Sequence, residues 1–93
     1  MTREVVLDTE TTGLDPGKGD RILEIGALEL LDHMPTGKLF HVYLNPETKI
    51  PEDSIKIHKI TDYFVADKPL FETIAKDFLS FLEGSSLVIH NAE

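Results

Sequence analysis

Val5, Val6 and Leu7 run without a polar break into Asp8, Thr9, Glu10, Thr11, Thr12 and Gly13. A continuous, mostly β-branched run of this kind is the pattern of a central strand covered on both faces, so the rest of the chain must supply flanking strands and covering layers. A second such run, Leu87-Val88-Ile89, lies near the other end of the sequence. Between them, "RILEIGALELL" and "KLFHVYLNP" read as two further strands joined by a turn around "DHMPTG", an antiparallel hairpin closed by Pro46. The loop "TTGLDPGKGD" is broken by Pro16, Gly17 and Gly19. The segment "ETKIPEDSIKIHKITDYFVADKP" is too irregular to be strand or helix throughout. From about Asp67 the spacing predicts a helix: Asp67 caps it, Pro69 suits its first turn, Phe71, Ile74, Ala75, Phe78 and Leu82 share one face, and Gly84 stops it. The stripe Phe71, Phe78, Phe81 and Leu82 is read as core. The expected order is β-β-β-α-β, with the last strand parallel to the first after a right-handed crossover.

The first strand ends in an unusual way. Residues i and i+2 of a strand project to one face about 6.5–7 Å apart, so Asp8 and Glu10 point together while Thr9 faces away. Two carboxylates sharing one small site repel each other unless a divalent cation sits between them, and hard ions such as Mg²⁺ or Mn²⁺ prefer oxygen ligands. A D-x-E pair at a strand end is by itself more often a solvated pair or the cap of a turn. Here it follows a fully apolar strand and precedes Thr11-Thr12-Gly13, whose glycine lets backbone come close to a ligand.

Charge makes the same point from another side. Seventeen acidic against nine basic residues leave a net charge of −8, which argues against a protein that coats phosphates with Lys and Arg. An acidic chain that binds nucleic acid needs positive charge from elsewhere, and metal ions could provide it. There is no cysteine in the 93 residues, no run long enough for a signal peptide, and nothing approaching the roughly 20 apolar residues of a membrane span. The expectation is a small cytoplasmic protein with no membrane partner.

The motifs "LDTETTGL", "ILEIGALEL", "FHVYLNP", "IPE", "IHKIT", "DKP" and "LVIHNA" follow one another over essentially the whole chain. Together they resemble the N-terminal half of the DnaQ-like, or DEDD, 3′→5′ exonucleases, and within that family the proofreading epsilon subunits of bacterial DNA polymerase III. The resemblance implies an α/β, ribonuclease H-like fold with a mixed five-stranded sheet, of which residues 1–93 would be a truncated β-β-β-α-β portion. It also implies hydrolysis with two divalent ions, Mg²⁺ or Mn²⁺, releasing nucleoside 5′-monophosphates from a single-stranded DNA 3′ end. Asp8 would bridge both ions and Glu10 would bind the one on the nucleophile side. At the substrate, the Thr11 amide would meet the terminal sugar, Leu14 would wedge against the base, Glu52 would accept from the 3′ hydroxyl, and His58 would make a contact without being the general base. The implied protein partners are the alpha and theta subunits of the polymerase.

Lys59 departs from the family pattern, which has glycine at that position, and the loop Pro51 to His58 reads one residue longer. The third metal-binding aspartate is expected two residues past Glu93, with the general-base histidine and last aspartate later still. The chain is therefore expected to be an incomplete catalytic domain, inactive alone, whose exposed Val5, Leu7, Val88 and Ile89 invite self-association. The alternatives are a non-catalytic binding or assembly module, or a DnaQ-like ribonuclease acting on RNA ends. His33 and His41 are read as structural or solvated, and Glu24 as near the site without an assigned role.

Overall fold

A computed structural model describes residues 2–13 and 21–90. Four strands form one mixed sheet in the order β3-β2-β1-β4. The strands are β1 (Arg3–Thr11), β2 (Ile22–Leu31), β3 (Met34–Tyr43) and β4 (Ser86–His90). As its unbroken apolar run requires, β1 is interior, paired antiparallel with β2 and parallel with β4. The strand continues past Asp8 to Thr11, so both carboxylates lie within it.

The β2–β3 hairpin is tighter than its sequence suggests. Asp32 and His33 alone form the turn, at φ 49° and 69°, the pair of positive values that a two-residue turn needs to follow the twist of its strands. Met34 and Pro35 belong to β3, which tolerates a proline because it is an edge strand among those described. Thr2 N donates to Asp32 Oδ1 at 2.9 Å and Asp32 N to Thr2 O at 2.9 Å, tying the turn to the chain start.

Between β3 and β4 there are three helices where one was expected. The segment read as irregular holds α1 (Glu52–His58) and α2 (Asp62–Val65), and α3 spans Phe71–Leu82. Helix α1 ends on Lys59 at φ 63°, with Lys59 N bonded to Ile55 O at 2.8 Å. A left-handed cap favours glycine, which accounts for the glycine that the family pattern has there. Helix α3 begins later than expected: its N-cap is Leu70, so Asp67 and Pro69 precede it. Its end is as expected, with Gly84 at φ 78°.

Helix α3 covers the sheet face bearing Val5, Ile25 and Ala27. Phe40 meets Phe78 and Phe81 with ring centroids 5.5 and 5.9 Å apart, and Val5 is completely buried. Val5 is thus not the exposed residue the sequence suggested, and Leu7 is only partly exposed, whereas Val88 and Ile89 do lie in solvent. Phe71 is also exposed and is not core. A second cluster, Leu23, Ile50, Ile60 and Val65 with Ile55 and Tyr43 against it, anchors α1 and α2.

Arg3 fastens α3 to the sheet. Its guanidinium binds Glu29 Oε2 at 2.5 Å, Phe81 O at 2.6 Å and Glu83 O at 3.0 Å. Arg3, then the Thr36 hydroxyl at 2.7 Å, hold the Glu29 carboxyl below its ordinary value of 4.5. A depressed carboxyl stabilises the fold above its unfolded value and loses that contribution as pH falls through the lower folded one. Urea midpoints are expected to drop on acidification below pH 4.5, and Glu29→Gln is expected to flatten that drop. An unchanged acid limb in Glu29→Gln would remove this pair from the account of acid sensitivity.

Candidate active site

Register fixes what shares the second sheet face. Asp8 stands opposite Gly26, which stands opposite His41; Glu10 stands opposite Glu24, which stands opposite Tyr43. Paired residues of neighbouring strands project to the same side, so two carboxylates of β1 and one of β2 converge. Asp8, Thr9, Glu10, Glu24 and Gly26 line a recess of about 70 Å³. Thr9 borders the recess, while its register opposite Ile25 puts its side chain on the other face of the sheet, as expected. Gly26 contributes no side chain, and this keeps the floor beside Asp8 open.

Asp8 is divided between two environments. Its Oδ1 is buried with no hydrogen-bond partner, and its Oδ2 lies 3.8 Å from His90 Nδ1. An orphaned buried carboxylate oxygen carries a desolvation cost that a cation would offset. The donors here are hard oxygens, so the recess fits a divalent ion of the Mg²⁺ or Mn²⁺ type. Among the described residues, however, no group of three or more His, Cys, Asp and Glu could enclose a metal. Asp8 and Glu10 fit as part of a ligand set.

Glu24 is held from the far side. His41 Nε2 lies 2.6 Å from Glu24 Oε2. The charge of Glu24, then burial, then a hydrogen bond from the Tyr43 hydroxyl to Glu24 raise the Tyr43 pKa above 10.0. Tyr43 is itself packed edge-on against Phe64 of α2, 4.8 Å between centroids. His41, read from sequence as structural or solvated, is therefore the partner of an acid that lines the recess. Alternation along β2 and β3 was the available signal, since it puts Glu24, His41 and Tyr43 on one face once the hairpin register is known. His90 was missed as a neighbour of Asp8 because their pairing is non-local.

Of the other expected residues, Thr11, Glu52 and His58 are described and Leu14 is not. Thr11 is the last residue of β1, beyond a register shift after Glu10, and its hydroxyl donates to Gly13 O at 2.5 Å. Thr12, almost fully buried, exchanges bonds with Arg21 at 2.8 Å each and accepts from Ser54 Oγ at 2.9 Å, tying α1 to the end of β1. Leu14 falls outside the described residues. Glu52 is exposed at the first position of α1. His58 accepts from Ile60 N at its Nδ1, 3.0 Å, while its Nε2 is buried without a partner. Neither Glu52 nor His58 lines the recess. No described helix is long and apolar enough to cross a membrane.

The RNase T exonuclease family matches residues 5–93. The chain is 59% identical over 90 residues to the DNA polymerase III subunit epsilon of Rickettsia typhi, a match covering 97% of this chain and 39% of that protein. It thus spans about two fifths of the length of the curated relatives it matches. Exonuclease X, solved in complex with 5′ overhanging duplex DNA, superposes with a TM-score of 0.76 at 30% identity, over 94% of this chain and 48% of that one. The nuclease domain of 3′hExo, a DEDDh family member, gives 0.74 at 19% identity over 98% and 52%, a likeness of fold. The mixed sheet with its helices is thus the ribonuclease H-like arrangement expected from the motifs, and the chain belongs to the exonuclease family.

Proposed function

We propose that this chain is the N-terminal part of a 3′→5′ exonuclease domain that removes nucleoside 5′-monophosphates from a single-stranded DNA 3′ end, as a proofreading activity in replication. The observation that carries the reading is the buried, unpartnered Asp8 Oδ1 in a recess shared with Glu10 and Glu24, in a chain of the exonuclease family. Asp8 and Glu10 would be part of the ligand set for two divalent ions, Mg²⁺ or Mn²⁺. Such ions would supply the positive charge that an acidic chain lacks, together with Lewis-acid activation of water and stabilisation of a leaving oxygen. Both carboxylates would serve as oxygen ligands, Asp8 with one buried, unpartnered oxygen and Glu10 from the same strand face. Around them, the Thr11 amide and Leu14 position the terminal nucleotide, Glu52 accepts from its 3′ hydroxyl, and His58 stands on the substrate side. The relatives are named as epsilon subunits of DNA polymerase III, which supports a setting in a replication assembly; the partners in this reading are the polymerase III alpha subunit and theta, in the cytoplasm.

Two carboxylates give weak affinity, because hard-ion sites tighten with the number of charged ligands. Mn²⁺ titration of the 93-residue chain is expected to give a Kd in the millimolar range or weaker, and micromolar binding would contradict a shared, incomplete ligand set. The test of function uses an exonuclease of the relatives' full length that carries these residues. Release of 5′-monophosphates from a single-stranded DNA 3′ end, dependent on Mg²⁺ or Mn²⁺, is the expected result. Degradation confined to RNA ends would favour the ribonuclease reading, and no release under any metal would favour a binding module.

A further inference from the structure

Glu24 poses a problem that the proposed function leaves open. It stands directly across the strand pair from Glu10, and like charges in that relation are destabilising. A neutral side chain would remove the repulsion. Instead the fold keeps Glu24 in place with His41, whose Nε2 lies 2.6 Å from Glu24 Oε2, and sets Tyr43 directly across the strand pair from it. Both lie on β3, the strand away from Asp8 and Glu10. Tyr43 is in turn held by the ring of Phe64 and by the cluster around Leu23 and Ile50. The carboxylate is therefore anchored from outside while its residue still lines the recess.

We infer that Glu24 is a positioning residue for the divalent ions at Asp8 and Glu10: held by His41 and Tyr43, it accepts hydrogen bonds from water carried by the ion instead of binding the ion itself. The inference rests on the proposed metal site. Its physical basis is that small hard ions shed water reluctantly and keep several waters when bound through one or two carboxylates. Those waters need acceptors, and outer groups that orient a metal site change its affinity by roughly 10- to 100-fold when lost. Glu24 offers a fixed, charged acceptor at the required side of the recess. The contact with His41 on β3 keeps it from collapsing onto the ion as a third direct ligand.

The experiment is Mn²⁺ titration of the 93-residue chain, followed by paramagnetic broadening of backbone amide signals, with Asp8→Ala, Glu24→Gln and Tyr43→Phe compared with the parent. Tyr43→Phe keeps the ring against Phe64 and the charge count of the recess, and removes only the hydroxyl donor. Glu24→Gln and Tyr43→Phe are each expected to weaken Mn²⁺ binding about tenfold, with unchanged amide fingerprints away from β2 and β3 and unchanged melting temperature. Asp8→Ala is expected to abolish local broadening. If Asp8→Ala abolishes it while Tyr43→Phe and Glu24→Gln bind as the parent does, the role of Glu24 is overturned and the metal site stands. If Glu24→Gln matches Asp8→Ala while Tyr43→Phe is silent, Glu24 is a direct ligand and the positioning role is likewise overturned. If Asp8→Ala itself has no effect, the metal site fails and the inference with it.

Discussion

Asp8→Ala, placed in an exonuclease of the relatives' full length, is expected to lower the rate of monophosphate release by at least about a thousandfold. Asp8 is the residue of the recess with one oxygen buried and unpartnered and the other turned toward His90, so its two oxygens serve two directions at once. Alanine removes both. Glu10 and Glu24 remain, but from their strand positions neither can occupy the point opposite Gly26. Residues that act as a unit fail together, and a partial loss is not expected. Asp8→Asn keeps the shape and removes the charge, and should be equally inactive if charge is what the site needs. Removing a carboxylate from a crowded recess relieves repulsion, so both variants should melt no lower than the parent. Single-turnover release from a labelled single strand separates these outcomes. A loss below tenfold would take Asp8 out of the machinery, and a lowered melting temperature would assign the defect to folding.

Leu23→Ala should cost about 3 kcal/mol, within the range for emptying a fully buried leucine site. Leu23 is completely buried and packs with Ile50, Ile60 and Val65. Its carbonyl also accepts from Leu44 N at 2.7 Å as the chain leaves β3. The cluster is what holds the two short helices, neither of which is long enough to persist without packing. A domain of this size has a stability of roughly 5 kcal/mol, so the variant loses most of it. Denaturant midpoints measure the loss directly, and a cost below about 1 kcal/mol would show that α1 and α2 are held by something else.

The strands and the carboxylate pair were legible because both follow from short periodicities. Val5 to Leu7 and Leu87 to Ile89 are continuous apolar runs, and the alternation in "ILEIGALELL" matches a strand with one face buried at Leu23, Ile25 and Ala27. Asp8 and Glu10 needed only the two-residue repeat. Helices α1 and α2 were not legible, because seven and four residues are too few to display a helical stripe and their stability comes from Ile50, Ile60 and Leu23. The late start of α3 has a similar cause: Asp67 and Pro69 are good starting residues in the abstract, but Asn45 N donates to Pro69 O at 2.9 Å and holds that stretch extended. The roles of His41, Tyr43 and His90 required the register of strands far apart in sequence, which composition does not encode.

The interior position of β1 has a consequence for how the molecule forms. Its partner β2 follows it closely, but its other partner, β4, is made of residues 86–90. A strand waiting on so distant a segment forms its second set of ladder bonds only after a costly loop closure, which slows folding. During synthesis the β1–β2–β3 meander can assemble first, while Asp8 is laid down long before the histidine that will stand beside it. The acidic end of β1 thus gains its second partner only from the part of the chain that leaves the ribosome after α1, α2 and α3.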